Sequence, residues 1–202
     1  MAHLRALQKE QTRLRILEQA LALFQEKGYV ATTIDDIATA VGTTRVTFYA
    51  HFPNKSELMR ALTERLNELL ERNPSPEHGS TAEKLVDAVR IGTFEAIRPW
   101  LGAQAERWPL IKPYILVSAE ASAVDPEIRE LTVGWFDEVI ADIVDGLSQA
   151  DRHPADERAY RGYLAVEMLN SANLKWIREG WDLRTGPQLD ILARAWVHLL
   201  GA

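Results

Sequence analysis

The sequence contains no cysteine among its 202 residues. Disulfide bonds, catalytic thiolates, cysteine-based zinc fingers and cysteine redox sensors are therefore excluded. No apolar run approaches the roughly 20 residues that a membrane-spanning helix needs. The N-terminus also lacks a long apolar stretch, so we expect a cytoplasmic protein.

Patterns that bind metals or carry catalysis are missing as well. The five histidines include no pair spaced four residues apart, and no phosphate-binding loop or activated nucleophile is recognisable. The adjacent acids Asp35 and Asp36 would point to different faces of a helix, so we expect them to be solvated rather than catalytic. The sequence thus predicts neither an enzyme nor a site for a metal or cofactor.

Alternating apolar and polar residues, which would indicate strands, are also absent. Apolar residues instead recur every three or four positions, which is typical of amphipathic helices, and the predicted fold class is all-α. The segment 73–80 is rich in proline, glycine and serine and is the most linker-like part of the chain. Beyond it, prolines precede or begin every expected helix except the first, a place that helices tolerate. The expected helices cover residues 82–97, 99–106, 109–121, 126–149, 156–179 and 187–201.

The segment 32–58 is the most informative part of the sequence. Thr33 is a suitable N-cap, and Asp36 stands at the capping-box position three residues later. Apolar residues then form one helical face up to Val41. Gly42 follows, where the end of a helix favours a residue that adopts positive φ easily. The pattern predicts a short helix that ends in a tight turn.

Two more helix starts follow closely. Thr44 can cap a second short helix over residues 45–50, and Pro53 closes that helix because the residue before proline avoids helical geometry. Asn54 and Glu57 form another capping box for a longer helix from Lys55. Two helices joined by a short turn containing glycine make a helix-turn-helix.

The second short helix has two different faces. Phe48 and Phe52 lie four residues apart and can face the core. Arginine can bind a guanine edge with two hydrogen bonds, and threonine offers both a hydroxyl and a methyl to bases. Tyrosine, histidine and lysine are common phosphate contacts. These polar groups stand on the opposite face, as Arg45, Thr47, Tyr49 and His51, with Lys55 just beyond.

From Arg13 to about Leu62 the chain resembles the DNA-binding domain of the tetracycline-repressor (TetR) family of bacterial regulators. The resemblance is specific because several unusual residues keep fixed spacings. Thr43 departs from the pattern, since valine is commoner there. The matching pieces are Phe24–Tyr29, Thr32–Ile34, Ile37–Ala38, Val41–Gly42, Phe48–Phe52 and Asn54–Leu58.

This resemblance implies roles for individual residues. Thr33, Tyr49, His51 and Lys55 correspond to phosphate-contacting positions. His51 has a compatible alternative role, as a cation at the C-terminal end of the second helix. The base-facing or nearby surface is implied for Thr44, Arg45, Val46, Thr47 and Ala50.

The net charge of −6 is unevenly distributed along the chain. Residues 1–60 carry eight Lys and Arg against six Asp and Glu, a balance of +2, which leaves −8 for residues 61–202. A small balance of this kind can also arise by chance. It is nevertheless consistent with a DNA-binding region at residues 1–60, because a local patch grips DNA whatever the total charge.

Residues 61–202 are expected to form a helical domain for effector binding and dimerisation. The resemblance implies that the last two helices pair with those of a second copy, and Thr185 with Gln188 would cap the last one. The same apolar stripes could instead pack inside one chain, which periodicity alone does not decide. The stripes are Leu189, Leu192, Trp196 and Leu199, and Tyr160, Leu164, Met168 and Ala172.

Large aromatic side chains are concentrated in this second domain. Such residues often line small-molecule cavities together with a few polar groups, although aromatics at helical spacing are commonly core. Candidate effector contacts are Phe94, Trp100, Trp108, Tyr114, Glu120, Trp135, Asn170 and Asn173.

Together these features predict a dimeric transcriptional repressor that a small-molecule effector releases from a duplex DNA operator. Activation remains an alternative, because the sign of regulation depends on where the operator lies. A helical protein-interaction module is a second alternative, and an enzyme a distant third.

Overall fold

The computed structural model describes residues 2–180, 182–184 and 186–201. Within these residues the chain forms nine α-helices and one two-stranded antiparallel sheet, which confirms the all-α class. The elements in chain order are α1 (Ala2–Lys27), α2 (Ile34–Val41), α3 (Arg45–Tyr49), α4 (Lys55–Leu69), β1 (Asn73–Ser75), β2 (Gly79–Thr81), α5 (Glu83–Ile91), α6 (Phe94–Val124), α7 (Pro126–Gln149), α8 (Ala155–Glu179) and α9 (Gln188–Leu200).

The chain divides into two compact units. The first unit comprises Met1–Leu66 and Ile111–Val133, and the second comprises Asn67–Leu110 and Gly134–Ala202. Helices α4, α6 and α7 each contribute residues to both units. The functional boundary expected after residue 60 stays a prediction.

The first unit has one apolar core, to which α1 and α4 each contribute four buried residues. The spacing of Leu14, Leu17, Leu21 and Phe24 predicts one apolar face on this helix. Leu17 and Phe24 are buried and Leu21 packs against the core, whereas Leu14 is 40% exposed, contrary to the prediction. Ile16 is fully buried on the same helix. The α2, α3 and α4 helices add Ile37, Val41, Phe48, Leu58 and Leu62, while α6 and α7 add Val117, Ala121 and Ile128.

The second unit has its own core, in which Trp196 of α9 is almost fully buried. Leu189 and Leu192 of the same helix are also buried there. This stripe of α9 therefore packs within one chain, as the alternative interpretation had it. Thr185, the expected partner of Gln188 in a cap, lies outside the described residues.

The prediction of three separate helices over residues 82–97, 99–106 and 109–121 is wrong. The α5 helix already ends at Ile91, and Gly92 follows in the left-handed conformation. The α6 helix then runs without a break through Pro99, Pro109 and Pro113. An interior proline costs about 3 kcal/mol, but apolar side chains buried at helical spacing on both sides of each proline keep the helix continuous. These are Ile97, Leu101, Ala105, Trp108, Ile111, Val117 and Ala121.

The prediction of a linker at 73–80 is also wrong, because β1 and β2 form a hairpin there. The hairpin is fixed by a buried ion pair between Arg72 and Asp142, whose atoms Nη1 and Oδ2 are 2.7 Å apart. Arg72 also donates to Ser80, and Thr81 donates to Asp142 at 2.7 Å. These partners stand up to 70 residues apart in sequence, so no local pattern indicates them.

The starts of the last three helices agree with the sequence. Pro126 is the first residue of α7, and Pro154 and Pro187 stand at the N-caps of α8 and α9. Across the described ranges, no helix combines the length and apolar character needed to cross a membrane.

Candidate nucleic-acid interface

The α2 helix begins where the sequence predicts, because Thr33 and Asp36 form a complete capping box. The backbone N–H of Asp36 donates to Thr33 Oγ1 at 3.1 Å, and the backbone N–H of Thr33 donates to Asp36 Oδ2 at 2.9 Å. The Thr33 hydrogen bonds, assisted by Lys27, lower the pKa of Asp36 to about 2. The cap therefore carries a negative charge at neutral pH, which suits a helix N-terminus.

The turn between α2 and α3 combines local contacts with one hydrogen bond from α1. Gly42 has φ 72° and ψ 39°, the left-handed conformation expected at the end of α2. Arg15 of α1 donates to the carbonyl of Val41 at 2.6 Å. Thr44 then caps α3, because its hydroxyl accepts the backbone N–H of Thr47 at 3.2 Å. The two short helices form the predicted helix-turn-helix.

The α3 helix is anchored by its aromatic face. Phe48 is fully buried and Phe52 is 2% exposed, and their ring centroids lie 5.9 Å apart. The opposite face is open to solvent, with Val46 79% and Tyr49 44% exposed. The predicted polar surface therefore faces outward, as a DNA-reading helix requires.

The remaining base-facing candidates lie on the same open surface. Arg45 is exposed and its Nη1 is 3.1 Å from Asp35 Oδ2, an ion pair between two solvated side chains. Such a pair contributes only about 0–1 kcal/mol, so the guanidinium can exchange Asp35 for a base edge at little cost. Thr44 and Ala50 are exposed, and Thr47 is half-buried.

His51 is half-buried at the end of α3. Its Nδ1 is buried and has no hydrogen-bond partner in the described part of the chain. Burial, together with the nearby cations Lys9 and Arg13, lowers the pKa of His51 against the opposing effect of Glu10. The imidazole is therefore neutral at pH 7. It can donate a hydrogen bond to phosphate, but it is not the cation that the alternative capping role needs.

Lys55 lies at the start of α4 with its ammonium group directed into the protein. Its Nζ donates to the carbonyl of Tyr29 at 2.5 Å and to that of Thr32 at 3.0 Å. The same Nζ lies 4.0 Å from the centroid of the Tyr29 ring. In this state Lys55 holds the turn between α1 and α2, and its phosphate contact stays a prediction.

Tyr29 connects this turn to α6 and α7. Its backbone N–H donates to Glu120 Oε1 at 2.9 Å, and its hydroxyl donates to Asp125 Oδ2 at 3.0 Å. Burial and the Asp125 carboxylate raise the pKa of the Tyr29 hydroxyl. Gly28 has φ +84°, and a Cβ there would lie 2.7 Å from Glu120 Oε1. Sequence reasoning missed these contacts because Tyr29 and its partners are more than 90 residues apart.

The candidate effector residues fall into different places. Glu120 and the half-buried Tyr114 belong to the first unit, where Tyr114 packs against the core. The other six belong to the second unit. There Asn170 and Asn173 are half-buried on α8.

The aromatic candidates of the second unit make contacts typical of a core. Trp100 stacks on Trp196 with ring centroids 5.5 Å apart, and the nearly buried Trp108 lies 6.4 Å from Trp176. The indole N–H of Trp135 donates to the Asn67 side chain at 2.7 Å.

Phe94 borders an open cleft of about 690 Å³. The guanidinium of Arg194 lies 5.0 Å from the centroid of the Phe94 ring. Among the described residues, no group of three or more His, Asp or Glu side chains is placed to hold a metal ion.

Comparison with known proteins places this geometry in a family. The model of bacterial regulatory proteins of the tetR family matches residues 16–62. The negative transcriptional regulator IcaR of the Staphylococcus epidermidis biofilm operon icaADBC is 29% identical over 134 residues, which are 62% of this chain and 66% of IcaR. The uncharacterized transcriptional regulator TtgW of Pseudomonas putida is 33% identical over 97 residues, which are 48% of this chain and 71% of TtgW.

The chain belongs to the TetR family of helix-turn-helix transcriptional regulators. The predicted family is thereby confirmed, and with it the prediction of a regulator rather than an enzyme. The aligned stretch spans just under two thirds of IcaR. The solved structure of the SmeT–triclosan complex shows the same fold, with a TM-score of 0.69 and 21% identity over 91% of this chain and 90% of that chain.

Proposed function

We propose that this protein is a repressor that binds a duplex DNA operator as a dimer and is released from it by a small-molecule effector. The observation that carries the proposal is the α3 helix, held by buried Phe48 while its opposite face is open to solvent. IcaR, a relative in the same family, is named as a negative regulator. Repression is therefore favoured over activation.

The exposed face of α3 suggests a division of roles on DNA. Arg45 is proposed to read a base edge, with Thr44, Val46, Thr47 and Ala50 on the same surface. Thr33, Tyr49, His51 and Lys55 are proposed to contact phosphates. Lys55 would first have to leave the carbonyls of Tyr29 and Thr32, so its contact requires a local rearrangement of the turn between α1 and α2.

The dimer is proposed to form through the outward faces of α8 and α9. Tyr160 and Ile191 are 65% and 64% exposed, although large apolar side chains favour burial. The two helices also line an apolar groove of about 500 Å³ that includes Leu164, Met168 and Ile191. A dimer presents two reading helices to successive major grooves about 34–36 Å apart.

The effector is proposed to be an apolar organic molecule bound in the second unit, where Phe94, Trp100, Trp108 and Trp135 are found. The solved SmeT complex holds triclosan in a protein of the same fold. If the effector lowers operator affinity a hundredfold, the coupling between the two sites is about 2.7 kcal/mol. The operator must weaken effector binding by the same factor.

Selection of bound fragments from a random DNA pool, followed by fluorescence anisotropy on the selected duplex, tests this function. Arg45→Ala should cost about 1–3 kcal/mol and relax preference at one base pair. Arg90→Ala is the matched control, because Arg90 is an exposed cation of the second unit, paired with Asp87. Compounds can then be screened for release of the duplex. Absence of any salt-dependent DNA affinity would reject the proposal and favour a protein-interaction module.

A further inference from the structure

Among the described side chains, the N-terminal half of α1 carries two cations that act on His51, Lys9 and Arg13. Lys9 and Arg13 are four residues apart, so they lie on the same helical face. The Arg13 guanidinium lies 5.1 Å from the centroid of the Phe52 ring, and Phe52 directly follows His51. Lys9 is exposed. Both cations therefore stand beside the end of the proposed reading helix.

The acidic side chains near Lys9 and Arg13 neutralise the positive charge of these two residues only weakly. Arg13 Nη2 is 3.5 Å from Glu64 Oε2, and the Glu64 side chain is 63% exposed. Glu10 is the acid that acts on His51 against Lys9 and Arg13. Like charges four residues apart on a helix repel each other by a few tenths of a kcal/mol. An anion bound between them would remove that repulsion.

His51 adds a hydrogen-bond donor to this place. Because Nδ1 is buried without an acceptor, the proton of the neutral ring is assigned to Nε2. The depressed pKa agrees with this assignment, since protonating Nδ1 would bury an N–H without a partner. The ring thus supplies a neutral N–H next to two permanent cations.

We infer that Lys9, Arg13 and His51 form a binding site for a backbone phosphate of duplex DNA. The α1 helix then becomes a third element of the DNA interface, besides α3 and the start of α4. The inference rests on the proposed DNA-binding function. In this site Lys9 and Arg13 of α1 supply the positive charge, and His51 donates a hydrogen bond.

The salt dependence of DNA binding separates these roles. The test uses the full chain, a 20-bp duplex of random sequence and anisotropy between 50 and 200 mM salt. The association constant K falls as salt rises. Loss of one phosphate contact should make the slope of log K against log salt shallower by about 0.9 and should lower the affinity at 0.1 M salt by roughly tenfold. We expect this result for the double variant Lys9→Gln with Arg13→Gln. His51→Gln keeps a neutral donor and should leave the slope unchanged.

A matched control removes the same charge elsewhere. Lys84→Gln with Arg90→Gln also deletes two cations, both exposed and paired in the second unit, and should leave the slope unchanged. Arg13→Lys should retain the slope, because it keeps the charge and loses only the planar contact with Phe52. If circular dichroism shows that Arg13→Gln impairs folding, the single variant Lys9→Gln is measured in place of the double variant.

The outcomes distinguish the inference from the function on which it rests. If wild-type protein binds DNA and the Lys9–Arg13 variant keeps its slope, the site is rejected and the function stands. If wild-type protein shows no salt-dependent binding, both are rejected. Inorganic phosphate that protects the wild-type protein from heating, with unchanged DNA slopes in the variant, would assign the site to free phosphate and overturn the duplex assignment.

Discussion

Lys55 shows how a single residue can serve a different purpose from the one its motif suggests. The family resemblance implies a phosphate contact, whereas the structure places its ammonium on the carbonyls of Tyr29 and Thr32. Burial lowers the pKa of Lys55, although Asp125 and Glu120 act in the opposite direction. Any DNA contact by Lys55 must compete with these hydrogen bonds.

We therefore expect Lys55→Met to destabilise the protein even without DNA. The variant keeps the length of the aliphatic chain but leaves the carbonyls of Tyr29 and Thr32 without their donor. Loss of a hydrogen bond to a charged group costs about 1–3 kcal/mol, measurable as a lower free energy of unfolding in urea. Lys84→Met is the control, because Lys84 is 74% exposed. Equal stability of the two variants would show that the Lys55 contacts contribute nothing.

At the scale of elements, the capping box of α2 links stability to pH. The pKa of Asp36 is about 2 in the folded protein, below its ordinary value of 3.8. A depressed carboxyl pKa adds stability above about pH 4 and loses it as pH falls towards 2. The α2 cap should therefore weaken in acid before Asp36 is fully protonated.

Thr33→Ala tests this cap. At pH 7 the variant should lose about 1 kcal/mol of unfolding free energy, within the 0.5–2 kcal/mol known for N-caps. The difference from wild type should narrow as pH falls from about 4 towards 2, because Asp36 is protonated first in the unfolded chain, at its ordinary pKa of 3.8, and in the folded wild type only near pH 2. Urea denaturation at several pH values measures it. Thr39→Ala, exposed on the same helix, should show no such loss, and a pH-independent difference would contradict the role of Asp36.

Elements whose cause is local could be predicted from the sequence. The Thr33 and Thr44 caps and the capping hydrogen bonds of Gly42 join residues at most four positions apart, and the sequence predicts all three features. The hairpin β1–β2 could not be predicted, because Arg72 and Asp142 that hold it are 70 residues apart.

The candidate site divides in the same way. The open face of α3 followed from the spacing of Phe48 and Phe52. The hydrogen bond from the Tyr29 backbone N–H to Glu120 could not be predicted, because no sequence pattern at either residue indicates the other. The continuity of α6 also depends on burial, which outweighs the local preference of Pro109 to end a helix.

At the scale of the whole molecule, the open surfaces differ in chemical character. The reading helix presents Arg45 and Tyr49, whereas α8 and α9 present apolar side chains such as Tyr160, Tyr163 and Ile191. Apolar side chains of this kind suit the proposed dimer interface, and a dimer would place two copies of α3 on an operator with two half-sites.

Ile191→Asp should therefore shift the protein from dimer to monomer. A buried unpaired carboxylate is costly at an interface core, so the variant should sediment as a monomer at micromolar concentration. Its operator affinity should fall in parallel, because each monomer engages a single half-site. Ile91→Asp is the control, since Ile91 is a 48% exposed isoleucine of the same unit at the end of α5. If analytical ultracentrifugation finds that the Ile191 variant is still dimeric, the interface does not lie on α9. The proposed spacing of the two α3 helices in the dimer would then be wrong as well.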